Sequence, residues 1–135
     1  MQTKIDSIGI IDDDEVFHFT MKIIIRKVSG INTVHQFYDG EQAIEYFKQN
    51  AENIHALPEL IFLDLNMPYM DGWQFLDEFI ELSIKDYQPQ VYVVTSSNNQ
   101  EDIEKSENYQ LISGYKIKPI SKDDFILILK EAEFN

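Results

Sequence analysis

Five short apolar segments recur along this chain, and each is followed by a longer stretch with the periodicity of a helix. The predicted strands are Ser7 to Ile11, Thr33 to Phe37, Leu60 to Leu63, Gln90 to Thr95 and Gly114 to Ile117. Strands separated by helices pair in parallel through right-handed crossovers rather than as hairpins. We therefore predict an α/β fold, a doubly wound parallel sheet with helices on both faces.

The stretches between the strands carry helix signals of different strength. The first helix is predicted from Glu15 to Val28, with Asp14 as its N-cap and Ser29-Gly30 as its stop. Asn50 to Pro58 is predicted to be a loop. The fourth helix, from about Gln100 to Ser106, is short and polar, so we expect it to be the most mobile and a candidate switch element. The expected core residues of the other helices are Ala43, Ile44 and Phe47, then Trp73, Leu76, Phe79 and Ile80, and finally Phe125, Ile128, Leu129 and Ala132.

Length and charge restrict the kinds of partner that the chain can have. With 135 residues and no linker-like or repetitive tract, it is expected to be a single domain over residues 1–135, without an output domain. Its 24 acidic and 11 basic residues give a formal charge of −13, which disfavours nucleic acid and anionic membranes as partners. The sequence has no cysteine, signal peptide or membrane-spanning run, so we expect a cytoplasmic protein that binds proteins or a metal ion.

Polar and charged side chains that could bind a ligand or react lie where four of the predicted strands end. Asp12 and Asp13 follow the first strand, Asp64 follows the third, Thr95 and Ser96 stand at the end of the fourth, and Lys118 follows the fifth. Ligands of open α/β sheets bind beyond the carboxyl ends of the strands. All of these residues are therefore predicted at one rim of the sheet.

Three carboxylates at one rim repel one another unless a cation lies between them, and hard oxygen ligands favour magnesium. Each piece also has an ordinary structural explanation. Asp12-Asp13-Asp14 is compatible with a solvated turn and N-cap, Lys118-Pro119 with a surface turn, and Thr95-Ser96-Ser97 with a loop held by local hydrogen bonds. The acidic run is not an EF-hand loop, because Phe17 occupies the position that requires glycine.

The segment Asp64-Leu65-Asn66-Met67-Pro68-Tyr69-Met70-Asp71-Gly72 is more specific, and with the other three pieces in this order it resembles the receiver domain of bacterial response regulators. The resemblance extends from Ile8 to about Phe134. It implies a flavodoxin-like (βα)5 fold with strand order 2-1-3-4-5, as in a bacterial chemotaxis receiver. It also implies a stand-alone receiver of a two-component phosphorelay, a signalling protein rather than an enzyme.

In that family an aspartate accepts a phosphoryl group from a histidine kinase or a phosphotransfer protein, and Asp64 is the matching residue. The resemblance implies Mg²⁺ as cofactor, bound directly by Asp13, through water by Asp12, by a carboxylate oxygen of Asp64 and by the backbone carbonyl of Asn66. Manganese is expected to substitute. The ion would hold the incoming phosphoryl oxygens and offset the charge that develops during transfer.

The remaining site residues are assigned by the same resemblance. Lys118 would pair with a phosphoryl oxygen, while the Thr95 hydroxyl and the Ser96 backbone N–H would donate hydrogen bonds to it. The peptide bond before Pro119 is expected to be cis. Thr95 and Tyr115 would form the switch that changes a protein-binding surface for a downstream target.

Two other function classes are weighed against the receiver. A haloacid-dehalogenase-type phosphatase typically has a second aspartate two residues after the nucleophile, where this chain has Asn66. A pseudo-receiver would be expected to lack part of the acidic cluster, the phosphoacceptor or Lys118, and all are present. Ser97 and Asn66 would face the water that hydrolyses the acyl phosphate, so the phosphoryl lifetime stays open. The sequence also leaves the cognate kinase and the target open. The protein is expected to be a monomer or a weak homodimer that pairs through Ile126 and Leu127.

Overall fold

The computed structural model describes residues 2–134. In this part of the chain, strands and helices alternate in the predicted order. The strands are β1 (Ser7–Ile11), β2 (Thr33–Phe37), β3 (Leu60–Leu63), β4 (Gln90–Thr95) and β5 (Ile112–Ile117). The α-helices are α1 (Glu15–Arg26), α2 (Gly40–Gln49), α3 (Gly72–Leu82), α4 (Gln100–Ser106) and α5 (Lys122–Glu133), and a short 3-10 helix spans Ile54–Ala56.

The five strands form a parallel sheet in the order β2-β1-β3-β4-β5, which confirms the predicted fold class and strand order. β3 and β1 lie at the centre and are buried along their whole length, because helices cover both faces of the sheet. All carboxyl ends of the strands point to the same edge. The loops that follow them therefore share one rim.

Two apolar clusters hold the layers together, one on each face of the sheet. The first packs β1, β3 and β4 against α1 and α5, and the residues predicted to face the core on α5 are all buried in it. The second packs the opposite face against α2 and α3, with Phe47 and Phe75 fully buried at its centre. Apolar burial on both faces supplies the main driving force for folding, at roughly 25 cal/mol per Å² of apolar surface.

Side-chain caps start the helices that leave the rim. Asp14 accepts a hydrogen bond from the Val16 N–H, as predicted for the N-cap of α1. Asp71 and Gln74 form a reciprocal capping box at the start of α3. The caps replace backbone partners that the first turn of a helix lacks, and they fix where the rim loops end.

Several element boundaries differ from the sequence-based predictions. α1 ends at Arg26 rather than Val28, because Lys27 and Val28 donate to carbonyls three residues earlier and tighten the last turn. β5 begins at Ile112 rather than Gly114, because a register shift beside Val91 extends its pairing with β4.

Three smaller expectations also need correction. The predicted loop before β3 contains the 3-10 turn Ile54–Ala56. On α3, Ile80 is half exposed, and Phe75 is fully buried in the core. On α5, Ile126 packs partly against the core, so only Leu127 of the two proposed pairing residues is well exposed.

None of the helices within residues 2–134 combines the length and the apolar character needed to span a membrane.

Candidate functional site

The register between β1 and β3 places two carboxylates side by side. Ile11 is paired with Leu63, so Asp12 and Asp64 leave neighbouring strands at the same height. The Asp64 N–H also donates to the Ile11 carbonyl at 3.0 Å, which fixes the start of the loop. Because both residues directly follow buried strands, their side chains are held by the sheet itself.

The acidic cluster combines two buried carboxylates and one exposed carboxylate. Asp12 is 1% exposed and Asp64 is 7% exposed, whereas Asp13 lies in solvent. One carboxylate oxygen from each of the three lies within 4.8 Å of the others. Oxygens at this spacing and with this chemistry suit a hard divalent cation.

A buried oxygen of Asp12 adds to that fit. Asp12 Oδ1 accepts the Asp14 N–H at 2.9 Å, and the buried Asp12 Oδ2 faces the Lys118 ammonium at 2.7 Å. One ammonium group offsets only part of the charge of three neighbouring carboxylates, so the remaining negative charge favours a further cation. These residues therefore fit a magnesium ion at the partly open rim.

Lys118 reaches the acidic cluster from the end of β5. Its Nζ lies 2.7 Å from Asp12 Oδ2 and 3.6 Å from Asp64 Oδ2, and 4.4 Å from the centroid of the Phe17 ring. Its backbone N–H donates to the Thr95 carbonyl at 2.8 Å, which ties β5 to β4. The Lys118-Pro119 peptide bond is cis, as the resemblance implies.

Burial and charge shift the pKa values of this ion pair. Desolvation raises the pKa of Asp12 to about 6, although the hydrogen bond from Lys118 acts in the opposite direction. Burial also disfavours the charged form of Lys118, but the nearby carboxylates of Asp12 and Asp64 outweigh it and raise the pKa of the ammonium group. At neutral pH the site thus holds the Lys118 cation against an ionised Asp12 carboxylate.

The end of β4 connects the rim to β5. Thr95 is fully buried, and its Oγ1 accepts the Ser97 N–H at 3.3 Å. The Tyr115 hydroxyl donates to the Ser97 carbonyl at 2.8 Å, and burial raises the pKa of Tyr115, which keeps this donor protonated. Ser96 is exposed at the rim. The residues assigned to the switch are therefore linked through one loop residue.

The loop after β3 remains close to the buried carboxylate. Asn66 is exposed, and its N–H lies 3.4 Å from Asp64 Oδ1. The Gly72 N–H donates to the Leu65 carbonyl at 2.9 Å, which folds the loop back before α3 begins. A Cβ on Gly72 would lie 2.6 Å from the Asp64 carbonyl oxygen, so only glycine fits this turn without a shift of the backbone.

The sequence matches the family described as the response regulator receiver domain over residues 8–130. The chain belongs to that family. Receivers are signalling domains rather than metabolic enzymes, and the five-stranded sheet of this receiver has their fold.

Known receivers that resemble this one include a curated protein and two solved structures. The nitrate/nitrite response regulator NarL of Escherichia coli is 32% identical over 93% of this chain, which spans about half (54%) of NarL. A two-component response regulator from Cytophaga hutchinsonii superposes with a TM-score of 0.83 at 25% identity, covering 97% of this chain and 98% of that one. The Mn(2+)-bound form of response regulator Rcp1 gives 0.69 at 27% identity, covering 93% and 90%.

The structure brings the predicted site residues of this receiver to one rim, and it adds contacts that the sequence did not reveal. His18 is buried on α1, and its Nε2 lies 2.8 Å from the Asp12 carbonyl. Met21 and Ile25 follow His18 by three and seven residues, which places all three on one face of the helix. This spacing could have indicated from the sequence that His18 faces the core. The hydrogen bond from Ser97 to Asp102 at 2.8 Å had no such signal.

Proposed function

We propose that this receiver accepts a phosphoryl group on Asp64 from a histidine kinase or a phosphotransfer protein and then changes its affinity for a protein target. The observation that carries the proposal is the placement of Asp64 Oδ2 3.6 Å from the Lys118 ammonium, beside the other two carboxylates at the rim. A carboxylate nucleophile needs both a cation to receive the phosphoryl oxygens and an open approach.

The transfer requires little covalent chemistry from the protein. An Asp64 oxygen attacks phosphorus and forms the acyl phosphate, while the phosphorus–nitrogen bond of the donor histidine breaks and its electron pair returns to the imidazole. Lys118 pairs with a phosphoryl oxygen, and the Thr95 hydroxyl and the Ser96 N–H donate hydrogen bonds to it. Positioning and charge stabilisation therefore supply most of the rate.

Magnesium is the proposed cofactor, and it supplies positive charge that offsets the charge on the phosphoryl oxygens. The carboxylates of Asp12, Asp13 and Asp64 would hold it, together with the backbone carbonyl of Asn66. Three acidic groups with a combined formal charge of −3 face one lysine at the rim. The negative charge that remains favours binding of a divalent cation. The Mn(2+)-bound relative supports manganese as a substitute.

The exposed side of α1 supports docking of a helical phosphodonor protein. Val16, Phe19 and Ile23 are exposed at spacings of three and four residues, and Phe19 is 67% exposed. This apolar stripe starts two residues after the Asp12–Asp14 turn, so a partner that covers it is placed beside the rim. A donor histidine on such a partner would face Asp64 while the stripe is buried.

The proposal is tested by mass spectrometry of the intact protein after incubation with acetyl phosphate and magnesium. We expect one labile phosphate on the wild type and none on Asp64→Asn or in the presence of a chelator. Asp86→Asn is the matched control, because it makes the same change at an exposed position whose positive φ suits asparagine. Equal labelling of Asp64→Asn and the wild type would exclude Asp64 as the acceptor.

A further inference from the structure

Ser97 contacts three separate parts of the receiver. Its N–H donates to the buried Thr95 Oγ1, its carbonyl accepts from the Tyr115 hydroxyl, and its own hydroxyl donates to Asp102 Oδ2 at 2.8 Å. These contacts join the end of β4, the middle of β5 and the first turns of α4. A movement of the start of α4 would therefore act on a residue of the loop that follows β4.

The Ser97 hydroxyl is held in one orientation by two hydrogen bonds. It donates its proton to Asp102, and its oxygen accepts the Asn99 N–H at 3.3 Å. A serine hydroxyl has one proton to donate, and here Asp102 takes it. Both hydrogen bonds direct this hydroxyl toward the start of α4.

Helix α4 has no buried residue at this end. It has seven residues, and the only buried one is Ser106, at its opposite end. That opposite end has a separate attachment to α3: the Lys105 ammonium lies 4.8 Å from the Trp73 ring centroid, Tyr109 stacks on Trp73, and its hydroxyl donates to Asp77 at 2.9 Å. The hydrogen bond from Ser97 to Asp102 thus tethers the amino-terminal end of α4 to the loop after β4.

We propose that Asp102 is a positioning residue that prolongs the life of the phosphoryl group on Asp64 by holding the Ser97 hydroxyl away from the hydrolysing water. This inference rests on the proposed function. It adds a regulatory link, because a target that displaces α4 would release the hydroxyl and so shorten the phosphorylated state.

The reaction concerned is hydrolysis of the acyl phosphate. The oxygen of water forms a bond to phosphorus, the bond between phosphorus and the Asp64 oxygen breaks, and its electron pair returns to the carboxylate while water loses a proton. A free hydroxyl at the rim, two residues after Thr95, can orient the attacking water by hydrogen bonding. Orientation of the nucleophile accelerates such a step.

The test measures decay of the phosphorylated protein after removal of the donor, followed by intact mass. We expect Asp102→Ala to lose phosphate about two- to tenfold faster than the wild type, which corresponds to one hydrogen bond of ordinary net strength. Asp102→Asn should decay at nearly the wild-type rate, because its carboxamide oxygen still accepts from Ser97. Glu101→Ala is the control, since it removes the same charge from the neighbouring, exposed position in the first turn of α4.

A double variant separates positioning from simple loosening of α4. In the Ser97→Ala background, Asp102→Ala should have no further effect on the decay rate, because the hydroxyl that it controls is gone. Wild-type decay of Asp102→Ala, equal acceleration by Glu101→Ala, or acceleration that persists without the Ser97 hydroxyl would each overturn the inference while the proposed function stands. A wild type that takes up no phosphate at all would overturn both.

Discussion

At the scale of single residues, the site is built around a buried ion pair that is electrostatically unbalanced. Lys118 has two carboxylate neighbours, 2.7 Å and 3.6 Å away, and Asp12 is almost completely buried. The raised pKa of Asp12 shows that Lys118 compensates only part of the cost of burying that charge. Such a site favours any additional cation at the rim.

The raised pKa of Asp12 predicts how stability depends on pH. Between its unfolded value of 3.8 and its folded value of about 6, the folded state retains a proton that the unfolded state loses. Stability therefore falls as pH rises through this window, by up to roughly 3 kcal/mol for a shift of about two units. We expect metal-free wild type to lose stability relative to Asp12→Asn between these pH values, measured by urea denaturation. A constant difference across the window would contradict the raised pKa.

A second prediction concerns the turn that follows Asp64, the proposed phosphoacceptor. Gly72→Ala would place its Cβ 2.6 Å from the Asp64 carbonyl oxygen and 2.9 Å from Leu65 Cα, both backbone atoms with little freedom to move. We expect a loss of about 1–3 kcal/mol in urea denaturation, the usual cost of overpacking. Gly40→Ala is the control, because its Cβ would meet the flexible side chain of Met70. Equal losses in the two variants would argue against a special constraint at Gly72.

At the scale of secondary-structure elements, the carboxyl end of β4 is the proposed junction between the phosphorylation site and the target-binding surface. Thr95 is the fully buried last residue of β4, and Ser97 in the loop after it contacts both β5 and α4. The two ends of α4 are tethered to different parts of the molecule, one to this loop and the other to α3. A helix that buries only one residue is easily shifted when one of these tethers changes.

The junction predicts that Thr95→Ala uncouples phosphorylation from the switch. A phosphoryl group on Asp64 offers new acceptors to the Thr95 hydroxyl, and drawing this side chain inward would bias the arrangement of Tyr115 and α4. Thr95→Ala should accept phosphate but show much smaller changes in amide exchange over residues 98–118, whereas Thr95→Ser should respond like the wild type. Equal responses in Thr95→Ala and the wild type would mean that the signal takes another route.

At the scale of the whole molecule, the charge distribution predicts that binding of a cation would raise the stability of the folded state. The chain carries a formal charge of −13, and three of its acidic groups meet at the rim. Self-repulsion of this kind lowers the stability of the compact state. A cation bound at the rim would offset the repulsion among these three carboxylates, while dissolved salt screens charges elsewhere on the surface.

We therefore expect magnesium to raise the melting temperature more than sodium chloride of equal ionic strength. Magnesium at about 100 times its dissociation constant would stabilise the folded state by about 2.7 kcal/mol. Asp13→Asn should relieve repulsion in the metal-free protein and weaken the response to magnesium, measured by thermal melting over a magnesium titration. The exposed Asp86→Asn is the control. A wild-type response in Asp13→Asn would exclude Asp13 as a ligand.

The sequence by itself determined most of the architecture of this receiver. Strands β1 to β4 and the cap of α1 at Asp14 could be predicted, because apolar runs, helical periodicity and capping residues act over a few neighbouring positions. The rim could be predicted as well, since the carboxyl ends of parallel strands share one edge. The motif from Asp64 to Gly72 then indicated the family.

Only the tertiary structure decided how the parts of the rim are connected. The pairing of Ile11 with Leu63 sets Asp12 beside Asp64, and Lys118 lies nearer to Asp12 than to Asp64. The hydroxyl partner of Ser97 and the stacking of Tyr109 on Trp73 were equally beyond the sequence. These contacts depend on strand register and on the packing of helices that are distant in the chain. Local residue patterns do not determine the register or the packing.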